Sequence, residues 1–339
     1  MAIRAHIKSI EIYLPEQVLT NDDLSQIYGE WSALKIEDKT GIQERRIARE
    51  DECSSDMAVK AAERVFAAGT VGPADIDYVL FCTQSPDYFL PTTACTIQHR
   101  LGLPTTCGAL DFNLGCSGFV YGLGLAKGLI ETGQAKNILL LTSETYSKFI
   151  HPMDKSVRTI FGDGAAATLI QGVESDQELI GPFVYGTDGN GARNLIVATG
   201  GMRQARISNP EVIEDNGNHR TINNLYMNGV EVFNFTLRAV PQAVRQLLGK
   251  TKLEMDDVKM FIFHQANRYM LESLRKKINI SPDKFPVDLS KTGNTVSSTL
   301  PIMLEGLLHS GKLRGGDLAM LVGFGVGYSW GAVMIRHVE

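Results

Sequence analysis

The sequence predicts an α/β protein built from two similar halves. Short, fully apolar runs of strand length alternate with helical patterns, which is typical of a mostly parallel sheet covered on both faces. Segments at positions 75–82 and 137–141 are echoed at 257–264 and 317–321. The composition, 44% hydrophobic and 21% charged over 339 residues, is that of a folded chain with a substantial core.

The echoed segments define the elements of each half. Segments 75–82 and 257–264 each have an acidic lead, an apolar run of strand length and a closing polar residue. Helical patterns follow at 92–101 and 267–278. Because both echoes are offset by about 180 residues, we predict an N-terminal half at 1–175 and a C-terminal half at 176–339. The boundary is expected in the polar segment 172–181.

Cys116 is the first candidate for chemistry. It lies between Gly115 and Gly118, at the start of an apolar segment that runs to Gly133 and predicts a buried helix. The free N–H groups and partial positive charge of a first helical turn favour a thiolate, and the glycines leave room for a substrate. The alternative is a small residue packed in the core.

His264 and Asn294 are the second and third candidates. His264 follows the apolar run 260–263, and Asn294 lies just before the apolar helical stretch 299–308. Alone, His264 is explained as a hydrogen-bonded core residue, and Asn294 as a turn residue or helix cap. Active residues gather at the carboxyl ends of strands in such sheets, which favours a shared site for Cys116 and His264.

The segment 318–335 has no charged side chain and the length, roughly 18 residues, at which membrane helices begin. It contains Gly323, Gly325, Gly327 and Gly331, which favour a buried strand, a turn and a second strand. The glycine pattern also has the spacing of a dinucleotide-binding loop. Too little chain follows it to build the strand–helix–strand unit that such a loop needs.

Composition, charge and the N-terminal sequence argue against several classes of function. The net charge of −5 gives no general reason to expect nucleic-acid binding, and five cysteines do not make a secreted disulfide framework. Arg4, Lys8 and Glu11 interrupt the N-terminal apolar residues, which argues against a secretory signal. No group of His, Cys and carboxylates has metal-ligand spacing. We expect a cytoplasmic protein without a metal, a membrane span or a nucleic-acid partner.

Taken together, the segments of Cys116, His264 and Asn294 resemble the ketoacyl synthase III family of the thiolase-like superfamily. Further motifs of the resemblance are 13–16 (Tyr-Leu-Pro-Glu), 40–42 (Thr-Gly-Ile), 161–165 (Phe-Gly-Asp-Gly-Ala), 323–325 (Gly-Phe-Gly) and 330–331 (Trp-Gly). They cover nearly the whole chain. The resemblance implies a five-layered αβαβα fold and a homodimer.

The resemblance also implies a Cys-His-Asn triad of Cys116, His264 and Asn294. Its reaction is a decarboxylative Claisen condensation, in which an acyl primer carried on Cys116 joins a malonyl thioester to give a 3-oxoacyl product. The backbone N–H groups of Cys116 and Val326 form the implied oxyanion hole. The substrates are an acyl-CoA and malonyl-acyl carrier protein or malonyl-CoA, with no cofactor. Relatives with an acid in place of Asn294 tend toward acyl transfer or non-decarboxylative condensation.

Binding residues are also implied by the resemblance. The acyl-CoA or carrier site comprises Trp31, Lys39, Lys155, Gly229, Ala266, Asn267 and Phe324. Lys39 and Lys155 stand where the family commonly has arginine, and the chain is longer than the common pattern between Trp31 and Lys39. Leu90 stands where a phenylalanine often reaches into the partner subunit's acyl pocket, so we expect a differently shaped pocket.

A basic cluster interrupts the acidic surface at Arg268, Arg275, Lys276 and Lys277. A solvated helix surface is one explanation, because cations near a helix C-terminus are favourable. The resemblance implies the other, docking of the acidic acyl carrier protein. Tyr269 occupies the family's usual arginine position, next to Arg268.

Two alternatives to fatty-acid initiation stay open. The first is a specialised condensing enzyme or acyltransferase of secondary metabolism with the same fold. The second, from a different class, is a non-catalytic partner subunit that shapes chain length. Such subunits usually lose the cysteine, so the presence of Cys116 argues against this second alternative.

Overall fold

The computed structural model describes residues 1–215 and 217–338. The helices are α1 (Asn21–Tyr28), α2 (Ala33–Thr40), α3 (Ser54–Ala67), α4 (Thr93–Arg100), α5 (Gly118–Glu131), α6 (Lys155–Arg158), α7 (Gly229–Thr251), α8 (Arg268–Ile278) and α9 (Thr299–His309). The strands are β1 (Ala2–Tyr13), β2 (Gln17–Thr20), β3 (Glu44–Ile47), β4 (Tyr78–Cys82), β5 (Gly108–Phe112), β6 (Asn137–Glu144), β7 (Gly164–Ser175), β8 (Ile180–Thr187), β9 (Leu195–Ile196), β10 (Ile213–Asp215), β11 (Asn218–Arg220), β12 (Tyr226–Met227), β13 (Met260–Phe263), β14 (Leu318–Gly325) and β15 (Ser329–Arg336).

Two mixed sheets form the centre of the molecule. The first has the order β1-β7-β6-β4-β5, in which β6, β4 and β5 are parallel and β7 is antiparallel to both of its neighbours. The second has the order β13-β14-β15-β8, with only β13 and β14 parallel. The prediction of a mostly parallel sheet is therefore wrong. β14 and β15 are joined by a tight turn, and a turn of that length permits only antiparallel pairing.

The helices complete five layers, α-β-α-β-α. α5 and α9 lie between the sheets, where Phe119, Leu123 and Leu304 pack among apolar residues of both sheets. α3 and α4 cover the outer face of the first sheet, and α7 and α8 cover that of the second. Both central helices are apolar around most of their circumference because both of their faces are buried.

The echo in the sequence corresponds to an echo in the topology. β4 pairs in parallel with β6, placing Tyr78 beside Ile138, and β13 pairs in parallel with β14, placing Met260 beside Ala319. The predicted helices at 92–101 and 267–278 are found as α4 and α8. The boundary at 175/176 falls in the connection between β7 and β8, and the division into two units there stays a prediction.

The glycine-rich C-terminal segment forms β14, a turn and β15, as predicted. Its strands are buried in the second sheet and pair over their whole length. Within the described ranges, the helices are too short or too polar to cross a membrane.

Candidate active site

Cys116 lies immediately before α5 and is 5% exposed. Two glycines of β14 allow this position. A Cβ added to Gly325 would lie 2.9 Å from the Cys116 Sγ atom, and one added to Gly323 would lie 2.7 Å from the Cys116 carbonyl oxygen. Ser117 and Ser329 tie the turn to β15 through a hydrogen bond of 2.6 Å between their hydroxyls. A larger residue on this face of β14 would displace the thiol.

His264 follows β13 and is 2% exposed. Its backbone N–H donates to the Val322 carbonyl at 2.9 Å, which extends the pairing of β13 with β14 by one residue. Its Nδ1 atom lies 2.7 Å from the Thr299 Oγ1 atom, and the Phe324 ring packs edge-on at 5.3 Å between centroids. Burial lowers the pKa of His264 to about 3, so the imidazole is neutral at physiological pH.

Asn294 is 4% exposed, and its backbone N–H donates to the Ile160 carbonyl at 2.9 Å. Its Oδ1 atom accepts a hydrogen bond of 2.9 Å from the Val296 N–H, so its Nδ2 group is available to donate to another acceptor. In this geometry, the Val296 backbone adopts a left-handed φ of 56°. That conformation costs about 1–3 kcal/mol in a β-branched residue. The hydrogen bond from the Val296 N–H therefore holds the Asn294 side-chain amide in one orientation.

β14 and the segment 294–299 bring the three candidates to one region. Cys116 packs on glycines of β14, and His264 is hydrogen-bonded to Val322 of the same strand. Thr299 connects His264 to the segment that carries Asn294. Cys116 and His264 both contact the carboxyl-terminal part of β14, and their shared site and catalytic roles stay predictions.

Burial raises the pKa of the Cys116 thiol, and the ionised form of Glu144 raises it further. The expected preference for a thiolate is therefore opposed by the surroundings, and the resting side chain is a thiol. Burial of the helix start removes the water that would solvate the anion, and it outweighs the favourable backbone contact.

Sequence reasoning missed Glu144, the last residue of β6. Its fully buried carboxyl group accepts hydrogen bonds from the Gln84 N–H at 2.9 Å and from the Ser297 and Ser85 hydroxyls at 2.9 and 3.2 Å. Burial nevertheless raises its pKa to about 8, so the carboxyl group is mostly protonated at neutral pH. A glutamate at the end of an otherwise uncharged, buried strand was the available signal.

Cys116 belongs to a cluster of packed apolar residues. Its buried members, besides Cys116, are Tyr146, Ile150, Val157, Phe161, Leu195, Leu225 and Val296. They come from separate loops and short elements, so no sequence periodicity connects them. Leu90, the predicted acyl-pocket residue, lies outside this cluster and is 86% exposed in the single chain.

The predicted CoA-binding lysines differ in their surroundings. Lys155, the first residue of α6, is largely buried and forms an ion pair with Glu30. Lys39 is exposed, and its Nζ atom lies 4.5 Å from the centroid of the half-buried Trp31 ring. Trp31 and Lys39 thus form one cation–π surface, whereas the charge of Lys155 is balanced within the chain.

The other predicted binding residues lie in the connection between β13 and α8, on β14 and at the start of α7. Ala266 is buried just beyond His264, and Phe324 packs on the His264 ring. Asn267 caps α8, where its side chain accepts a hydrogen bond of 2.8 Å from the Met270 N–H. Gly229 is the exposed first residue of α7.

The basic cluster on α8 is only partly available to a partner. Arg275 forms an ion pair of 2.8 Å with Glu272 and also donates to the Ile280 carbonyl. Lys276 and Lys277 are exposed in the last turn of the helix, and Arg268 is exposed in its first turn.

Comparisons with known proteins agree with this architecture. The family model described as 3-oxoacyl-[acyl-carrier-protein (ACP)] synthase III matches residues 110–189, and the model of its C-terminal part matches residues 248–337. The beta-ketoacyl-[acyl-carrier-protein] synthase III of Caldanaerobacter subterraneus subsp. tengcongensis is 36% identical over 98% of this chain and 98% of its own.

Solved structures give the same result. A crystal structure of a 3-oxoacyl-(acyl-carrier-protein) synthase III is 55% identical, with a TM-score of 0.97 over 98% of this chain and 100% of its own. The 3-oxoacyl-(acyl-carrier protein) synthase of Burkholderia xenovorans LB400 is 34% identical, with a TM-score of 0.90 over 99% of this chain and 94% of its own. The predicted resemblance and the predicted thiolase-like fold are confirmed.

Proposed function

The chain belongs to the 3-oxoacyl-[acyl-carrier-protein] synthase III family, and from this premise we propose how its own residues carry the reaction. Members of this family are acyltransferases that condense an acyl primer with a malonyl thioester in the initiation of fatty-acid synthesis. Cys116, His264 and Asn294 are the catalytic residues in the proposal, and the acyl thioesters are its substrates.

In the first step, the Cys116 sulfur attacks the carbonyl carbon of the primer thioester. The thiol proton passes to the departing carrier thiol, and the acyl group stays on Cys116. The backbone N–H groups of Cys116 and Val326 donate to the oxygen that becomes negative in the transition state. The apolar cluster around Cys116 receives the acyl chain.

In the second step, the malonyl thioester loses carbon dioxide. The electron pair of the broken carbon–carbon bond moves into an enolate, whose oxygen accepts hydrogen bonds from His264 Nε2 and Asn294 Nδ2. Both donors are neutral. Burial disfavours the imidazolium form of His264, and an amide has no charge. Neither group places a negative charge beside the departing carboxylate.

In the third step, the enolate carbon attacks the acyl carbonyl on Cys116. The new carbon–carbon bond gives a 3-oxoacyl thioester, and the Cys116 sulfur leaves and takes up one proton from solvent. The sequence of steps balances without a redox or metal cofactor.

One observation carries the assignment: the Cys116 thiol rests on the glycines of β14, and His264 is hydrogen-bonded to the same strand. Intact-protein mass spectrometry after incubation with acyl-CoAs of increasing length tests the first step. We expect one acyl increment on the wild-type chain and none on Cys116→Ala. If Cys116→Ala acquires the same increment, the nucleophile is a different residue.

The chain is proposed to act as a homodimer. β5 is one edge strand of the first sheet and carries the exposed Leu110. Tyr88, Phe89 and Leu90 form a second exposed apolar segment. Open edges and apolar surface of this kind are normally covered. A second copy on the β5 edge would cover Leu110 and place Leu90 against the partner's acyl pocket.

The proposed location is the cytoplasm. All five cysteines are free in the structure, and an enzyme that depends on a thiol suits a reducing compartment. Acyl carrier protein is the proposed partner for the exposed basic residues of α8.

A further inference from the structure

The proton of the His264 ring decides whether His264 can assist decarboxylation. An Nε2–H group donates to an enolate oxygen, whereas a bare Nε2 lone pair repels it. A neutral imidazole carries its proton on either nitrogen, and the hydrogen bond at the other nitrogen selects which. The partner of Nδ1 is therefore a control point of the proposed reaction.

That partner is the hydroxyl of Thr299, the first residue of α9. The Thr299 Oγ1 atom lies 2.7 Å from His264 Nδ1 and 3.1 Å from the Val296 carbonyl oxygen. Both side chains are almost fully buried, at 2% and 3% exposure, so bulk water does not compete for these contacts. The single hydroxyl proton can point to only one of the two acceptors at a time.

The surroundings favour the direction toward His264. The Val296 carbonyl already accepts a hydrogen bond from the Thr299 backbone N–H, so it does not depend on the hydroxyl. The contact to Nδ1 is also the shorter one. If the hydroxyl donates to Nδ1, that nitrogen must carry a lone pair and no proton. The ring proton then resides on Nε2.

We propose that Thr299 is a positioning residue whose hydroxyl holds the ring proton of His264 on Nε2, where it serves the enolate oxygen. The inference rests on the proposed function of His264. It extends that function to a residue that does not touch the substrate.

The segment 294–299 thereby orients both donors of the second step. The Val296 N–H fixes the amide of Asn294, and the Thr299 hydroxyl fixes the ring of His264. Ser297 and Ser298 anchor the segment through hydrogen bonds of 2.9 Å to Glu144 and to Thr142. One short stretch of backbone therefore sets the direction of two catalytic N–H groups.

Nuclear magnetic resonance of protein labelled with ¹⁵N-histidine tests the inference directly. The two nitrogens of a neutral ring have different shifts, and the His264 signals are identified by their loss in His264→Gln. We expect Nε2–H in the wild type and in Thr299→Ser, which keeps the hydroxyl. We expect a mixture of tautomers in Thr299→Val, which has the same shape without it.

Two rates separate a positioning role from a packing role. In Thr299→Val, we expect malonyl decarboxylation to fall about tenfold, the rate equivalent of roughly one hydrogen bond, and acylation of Cys116 to stay within about twofold. Thr299→Ser should restore most of the decarboxylation rate. Equal losses of both rates in both variants would mean that Thr299 only packs, and the inference would be wrong.

The position of the His264 ring proton in the wild type tests the inference even if Thr299→Val does not fold. A wild-type His264 with its proton on Nδ1 would overturn the inference while leaving acylation and condensation in place. Absence of any acyl adduct on wild-type Cys116 from both CoA and carrier-protein donors would instead overturn the proposed function.

Discussion

Single atoms decide what Cys116 can do. Its sulfur occupies space that a side chain on Gly325 would otherwise fill, and its proton is held by burial that disfavours the anion. Nucleophilicity must therefore be gained when the thioester arrives and the oxyanion forms against the backbone N–H groups. Glu144 is close enough to influence the thiol, and in its protonated form it adds no opposing charge.

Gly325→Ala should damage the site directly. The new Cβ would lie 2.9 Å from both Cβ and Sγ of Cys116, so we expect destabilisation by about 1–3 kcal/mol and a large loss of acylation. Gly128→Ala on α5 is the control, because its Cβ would meet no atom within 4 Å. That variant should be stabilised by about 0.5–1 kcal/mol. Urea denaturation and acyl-adduct mass spectrometry measure the two effects, and normal acylation of Gly325→Ala would contradict the close packing.

The raised pKa of Glu144 predicts that the stability of the fold depends on pH. Its pKa rises from 4.5 to about 8 on folding, so between these values the folded chain binds a proton that the unfolded chain has released. The free energy of unfolding therefore falls as pH rises through this window, by an amount on the order of a few kcal/mol. Glu144→Gln should show a smaller fall between pH 5 and pH 8 in urea denaturation.

The exposed change Glu16→Gln controls for loss of one negative charge. It should follow the wild-type pH profile. If Glu144→Gln shows the same decline as the wild type, Glu144 is ionised in the folded chain.

At the scale of single elements, the sequence pattern shows which face of a helix is buried. It does not show what the exposed residues of that helix do. α8 has an apolar face with Met270, Leu271 and Leu274 in the core, as its spacing predicts. Its basic residues share no single role: Arg275 is engaged by Glu272, and the lysines of the last turn face solvent. The docking hypothesis therefore depends mainly on Lys276 and Lys277.

Charge reversal at Lys276 and Lys277 tests the docking surface of α8. We expect the double change to glutamate to raise the KM for malonyl-acyl carrier protein roughly tenfold and to leave the KM for malonyl-CoA within about twofold, since an acidic carrier would meet like charges. Lys312→Glu, at an exposed lysine after α9, is the control. An equal increase for both substrates would exclude a carrier-specific surface.

At the scale of the whole molecule, β5 is one of the two edge strands of the first sheet. β5 pairs with β4 on one side, and its other side carries Leu110 at 41% exposure. The candidate active-site region lies where the two sheets meet α5 and α9, so residues of both predicted halves contribute to it. A dimer through β5 would add Leu90 from a second chain, and the length of accepted primers would then depend on two subunits.

Leu110→Asp tests the proposed dimer. A charge on the paired edge should weaken association at least tenfold, because an aspartate buried at the interface lacks a partner. Light scattering coupled to size-exclusion chromatography measures the mass across a dilution series. Ile27→Asp on α1, where the isoleucine is also 41% exposed, controls for a new surface charge. A monomeric wild type at micromolar concentration would contradict the proposal.

The sequence by itself determined the family, and the family resemblance predicted the five layers and the candidate triad. Helical patterns predict α4 and α8, and continuous apolar stretches predict α5 and α9. The two echoes predicted the repeated halves, and motifs spread over the whole chain identified the family. The predominance of parallel pairing was predicted wrongly, since an apolar strand pattern records burial on two faces and not the direction of its neighbours.

Only the tertiary structure decided how the side chains of the site are held. The contacts of Cys116 with Gly325, of Glu144 with Ser297 and of Thr299 with His264 join residues far apart in the chain. No local pattern encodes such pairs, because each depends on how separate strands and helices pack in three dimensions. Protonation states follow the same rule: burial sets the pKa of His264 and Glu144, and burial is a property of the folded molecule.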